Sequence, residues 1–155
     1  MGDLAGALGR IPSGLFIVTT GRGEEATGFL ASFLQQCAFA PPTVVMAVKG
    51  ERPIVPLLRQ TGWFCVSIIP EGNSDLLRHF AKGFTPGAKP LAGLKTADSA
   101  QGVPYLLECP AHLVCRLGSE LPIGDHVLFC GEAVDGEVRG AERPWIHLRK
   151  NGLNY

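Results

Sequence analysis

The chain carries no surplus of charge of either sign: 14 lysines and arginines face 14 aspartates and glutamates, for a formal net charge of +0. That balance removes the broad positive field on which non-specific DNA or RNA binding depends, so no nucleic-acid partner is expected. Long apolar runs are missing too. The longest, Thr43 to Val48 and Gly62 to Ile69, fall far short of the roughly 20 residues that span a bilayer, and no membrane partner is expected. The first ten residues lack a basic start followed by an apolar stretch, so no secretory leader is read there and a cytoplasmic location is expected. Cys37, Cys65, Cys109, Cys115 and Cys130 form no Cys-x-x-Cys pair, which argues against zinc or dithiol redox chemistry and suits reduced apolar fillers. His79, His112, His126 and His147 form no His-x-His or His-x-x-x-His pair, and no metal site is expected. Neither a Gly-x-Ser-x-Gly nucleophile elbow nor a Gly-x-Gly-x-x-Gly phosphate loop occurs.

Glycine and proline are plentiful, at 20 and 12 residues, while 46% of the 155 residues are hydrophobic. The first pair of counts predicts many turns, and the second is too high for a disordered chain. A length of this order buries one core, so a single domain over residues 1–155 is expected.

Ser13 to Thr20 is rich in β-branched and aromatic residues and is closed by Gly21-Arg22-Gly23, which reads as a strand and a turn. Thr27 to Phe33 should return antiparallel to it. An irregular piece then ends at Phe39, and Pro41-Pro42 introduces a strand over Thr43 to Val48. Arg52 to Gln60 suits a short helix lying on the sheet, with proline near its start and apolar Ile54, Leu57 and Leu58 on one side. Trp63 to Ile69 reads as a further strand. Asn73-Ser74 caps a second helix through Phe80 that stops at Gly83, and the stretch to Gly102 is mostly irregular. Strands are expected over Ala111 to Leu117, His126 to Val134 and Trp145 to Leu148, with turns at Leu121 to Asp125 and at Asp135-Gly136. The class is mainly β with a few short helices, and the connections favour a largely antiparallel barrel.

Several segments stand in a recognisable order: Arg10 to Gly14, Gly28-Phe29-Leu30-Ala31-Ser32-Phe33, Phe39-Ala40-Pro41-Pro42, Leu77 to Phe84, Gly124-Asp125-His126 and Leu148 to Gly152. Together they resemble the flavin reductase-like family from about Leu8 to the end. The resemblance implies an FMN-binding split β-barrel working as a homodimer, with one flavin in each of two interface clefts and NAD(P)H as co-substrate. FAD or riboflavin are the alternative flavins. Leu30, Ala31, Ser32, Phe33, Gln35 and Gln36 fall in the segment that runs along the isoalloxazine in related proteins. Ser32 is the first of them to carry over, because reduced flavin gathers negative charge near N1 and the C2 oxygen, and nearby donors tune its potential.

Lys49 and Arg52 stand where the family contacts the FMN phosphate, and cations beside a helix N-terminus suit a dianion. Solvated turn residues are the plain alternative for both. His126 matches the family's nicotinamide-side motif, where its role would be orientation, although Gly-Asp followed by histidine also makes an ordinary tight turn. Phe33, Phe80 and Phe84 border either the flavin or the core. Arg149 lies in a tail, Arg149 to Tyr155, that resembles the family's closing segment at the cofactor site. Leu30, Ala38 and Pro53-Ile54 replace polar residues common in relatives, which allows flavin to be a diffusible substrate. The expected function is NAD(P)H-dependent FMN reduction, passing electrons to free flavin, oxygen, iron or a partner protein. The alternatives are a non-catalytic FMN electron carrier and a β-barrel for another ligand.

Overall fold

The computed structural model describes residues 2–85 and 87–154. Met1, Pro86 and Tyr155, which the domain, loop and tail readings include, lie outside the described residues. A short helix, α1 (Leu4–Gly9), precedes β1 (Ser13–Gly14), which pairs with the late strand Ile146–His147, and β2 (Phe16–Thr20). Then follow β3 (Thr27–Ala31), β4 (Leu34–Phe39), β5 (Pro42–Lys49), α2 (Ile54–Thr61), β6 (Trp63–Ile68) and α3 (Ser74–Ala81). β7 (Thr96–Asp98), β8 (Pro104–Leu106), β9 (Ala111–Ile123), β10 (His126–Val138) and β11 (Ile146–His147) complete the order.

Seven strands form one sheet in the order β3-β2-β6-β9-β10-β5-β4, every neighbouring pair antiparallel. β3 and β4 stand at opposite ends of that order, yet only Ser32 and Phe33 join them. Two linking residues span at most about 11 Å from Cα to Cα. The sheet must therefore curl until its outer strands approach each other, and among the described residues no ladder joins them. The result is a barrel split at the Ser32–Phe33 corner.

The interior follows the alternation of the strands. Val44, Met46 and Val48 of β5 face inward with Phe64 and Val66 of β6 and Phe129 of β10, and α2 lays Ile54, Val55 and Leu58 on the same cluster. α2 ends where expected because Gly62 takes a φ of +70° and donates its N–H to the Leu58 carbonyl at 3.0 Å. A second cluster seats Leu76 and Phe80 of α3 against Leu15, Ile17 and Ile69. Asn73 caps α3 by accepting the Leu76 N–H at 3.1 Å.

Three expectations change. Leu34–Phe39 is a strand, since its backbone pairs with β5 from Met46 to Pro42 although its side chains are mostly exposed. Leu121-Pro122-Ile123 belongs to β9, leaving only Gly124 and Asp125 as the turn, with Gly124 at φ +57°. β9 pairs with β6 only through Arg116, so Pro122 lies on a free edge where a missing N–H costs little. Asp135-Gly136 stays within β10 because a register shift between Ala133 and Asp135 absorbs the irregularity. The stretch after Gly83 is largely irregular but closes with the β7–β8 pair.

Candidate functional site

Two neighbouring features gather most of the candidate residues. The first is a cavity of about 600 Å³ between the Gly23–Glu25 turn, the start of β3, the head of α2 and the loop after α3. Phe29, Ile54, Leu57, Phe80 and Phe84 give it an apolar wall, and Arg52 and Lys89 bring two cations to it. Arg52 is half-buried, its guanidinium carbon 5.6 Å from the centre of the Phe29 ring. It sits one residue before Pro53, the N-cap of α2, where no side chain caps the helix and no acid occupies its first turn. Pro53 and Pro56 carry no N–H and the Val55 N–H donates to the Arg52 carbonyl at 3.0 Å, so the Arg52 guanidinium is the group that favours an anion here.

The second feature lies across the β5–β10 pair. Lys49 and His126 are register partners, because β10 begins immediately after the Gly124-Asp125 turn. The Gly50 N–H donates to Asp125 O and the Arg52 N–H to Lys49 O, both at 3.0 Å, which ties this corner to the head of α2. The Phe33 ring lies 5.8 Å from His126, tilted by 52°, and the Arg149 guanidinium lies 4.7 Å from the Phe33 centroid. Phe33 also accepts the Ala47 N–H at its backbone oxygen. His126 Nδ1 donates to Asp125 Oδ1 at 2.8 Å, a geometry that fixes the ring and turns Nε2 away from the carboxylate. That hydrogen bond holds the exposed Asp125 carboxyl below its usual 3.8. Lys49 pairs with Glu51 at 3.4 Å.

The remaining candidates are placed differently. Leu30 packs with the α3 cluster while Ala31 points into the α2 cluster, so on this strand a ligand would be met by backbone rather than by these side chains. Ser32 is half-buried in the β3–β4 corner and makes no side-chain hydrogen bond among the described residues. Gln35 and Gln36 are exposed on β4 and border a separate apolar hollow of about 290 Å³ with Phe16, Leu34 and Leu113. Phe80 is 2% exposed and serves the core and the first cavity together. Phe84 meets it edge-on at 5.7 Å. Sequence reasoning missed Phe29 and Lys89 as lining residues. Phe29 stood inside a quoted motif, whereas Lys89 reaches the cavity only through the path of the loop.

His112 has a structural role. Its ring stacks on Tyr105 at 3.7 Å, and Arg139 Nη1 donates to its Nδ1 at 2.6 Å. Burial and then the Arg139 charge lower its pKa below 6.5. Among the described residues, no three of histidine, cysteine, aspartate and glutamate converge to hold a metal ion.

Residues 8–152 match the flavin reductase like domain. The chain belongs to the flavin reductase-like family. Over 99% of its length it is 38% identical to diflavin flavoprotein A 1 of Synechocystis sp., and it spans 27% of that protein. The NADH:FAD oxidoreductase SgcE6 of Streptomyces globisporus C-1027 is 26% identical, with a TM-score of 0.86 over 94% of this chain and 87% of that one. BorF, the flavin reductase component of a bacterial two-component tryptophan halogenase, shares the fold at 21% identity, with a TM-score of 0.82 over 94% and 91% of the two chains.

Proposed function

We propose that the chain reduces FMN by hydride transfer from NADH or NADPH, in a cleft completed by a second copy of itself. The observation that carries this reading is the juxtaposition of Arg52 and an aromatic wall around one cavity of about 600 Å³. That volume suits an organic cofactor, and the donor set suits one with an apolar ring and an anionic tail. The residues thus fit FMN. When bound, the flavin supplies N5 as hydride acceptor.

Arg52 would hold the phosphate. The backbone of Leu30 and Ala31 with the Ser32 hydroxyl would face the polar edge of the ring system, and Phe33 and Arg149 would border the opening near His126. His126, fixed by Asp125, would orient the nicotinamide; a stacked donor and acceptor need no proton from it. Replacing His126 with alanine should therefore raise the KM for the nicotinamide dinucleotide about tenfold while kcat changes by less than about threefold. A large fall in kcat at unchanged KM would contradict an orienting role.

A homodimer is supported by apolar side chains that one copy leaves in water, Phe39 on the outer strand and Leu121 and Ile123 on the β9–β10 arm. The free thiols suit a reducing cytoplasm, and a protein that accepts electrons from the reduced flavin is the further partner. Titration with FMN, followed by its visible spectrum and by sizing chromatography, tests the reading. A shifted flavin band and a dimer are expected; no spectral change at high micromolar FMN would overturn it and favour another ligand.

A further inference from the structure

Lys89 reaches the Arg52 cavity from the loop after α3, and no motif marks it. Its ammonium donates to the Glu24 backbone oxygen at 2.6 Å and to the Glu24 carboxylate at 2.8 Å. Glu24 belongs to the Gly23–Glu25 turn, so the contact straps two loops together at one side of the cavity. The Glu24 side chain is 96% exposed. Such a pair is weakly held and exchanges readily. The hydrogen bond from Lys89 keeps the Glu24 carboxyl below its usual 4.5, so that carboxyl is ionised at neutral pH.

Among the described residues, the charged side chains lining this cavity are Glu24, Glu25, Arg52 and Lys89, two of each sign. An entering dianion meets no net positive charge unless the Lys89–Glu24 pair opens. Opening it costs little, because Glu24 swings into water and Lys89 keeps a charged partner. A phosphate offers Lys89 more charge than a carboxylate and three strong acceptor oxygens.

We infer that Lys89 is a second phosphate-binding cation and that Glu24 is the anion it exchanges for the phosphate of the ligand. The inference rests on the flavin reading above and adds to it a selection rule: the cleft favours a phosphorylated flavin over riboflavin, which has nothing to offer Lys89.

FMN and riboflavin titrated into the wild-type protein, Lys89→Met and Glu24→Gln at low ionic strength provide the test. Lys89→Met should weaken FMN about fivefold and leave riboflavin unchanged, whereas Glu24→Gln should tighten FMN about threefold. If Arg52→Ala weakens FMN but Lys89→Met does not, the role of Lys89 is overturned and the flavin site stands. Equal losses of both flavins in Lys89→Met would show a packing role and also overturn it. Absence of FMN binding to the wild-type protein would overturn both readings.

Discussion

Replacing Arg52 with alanine is expected to weaken FMN binding about 30-fold and riboflavin binding less than about twofold. The difference follows from the one group that separates these ligands. A hydrogen bond to a charged partner contributes about 2 kcal/mol, which corresponds to that ratio. Arg52 is well set for the task because its side chain already lies along Phe29 and borders the cavity. Little side-chain freedom is left to lose on binding. Calorimetric titration with both flavins measures the ratio. Equal losses would move Arg52 out of the phosphate site and make it a support for Phe29.

Phe64→Ala is expected to destabilise the fold by about 4 kcal/mol, read as a lowered urea midpoint at unchanged m-value. Phe64 is fully buried at the centre of the α2 cluster. Its ring lies against Gly131 of β10, where an added Cβ would come within 2.3 Å of Phe64 Cζ. Glycine is required there by close approach, since its φ is not among the positive ones. Gly131→Ala should therefore cost about 2 kcal/mol by overpacking. Combining Gly131→Ala with Phe64→Leu should recover part of that loss, and strict additivity would show that the two sites do not meet.

Strands β2, β5 and β6 were legible because local preference and burial agree: β-branched residues alternate or run together and face a core. β4 was not. Gln35, Gln36 and Cys37 look outward, and what makes Leu34–Phe39 a strand is hydrogen bonding to β5, which no local pattern announces. α1 escaped for a related reason. Gly6 and Gly9 disfavour a helix, but Asp3 accepts the Gly6 N–H and the Gly152 N–H donates to Ala5 O, so cap and tail stabilise it.

The candidate site divides in the same way. Lys49 and His126 could be named from the family resemblance, and the β5–β10 register brings them opposite each other. Gln35 and Gln36 shared a segment with Ser32 in the resemblance, yet strand β4 carries them onto a different surface. Phe29, Glu24 and Lys89 meet only because the irregular loop after α3 folds back over the Gly23–Glu25 turn.

Anaerobic mixing of the protein and FMN with NADH or NADPH tests hydride transfer most directly. The account predicts that the visible absorbance of oxidised FMN disappears with at least one donor, at a rate proportional to protein concentration. FMN that binds and keeps its absorbance with both donors would contradict the reductase reading and leave an electron carrier in its place.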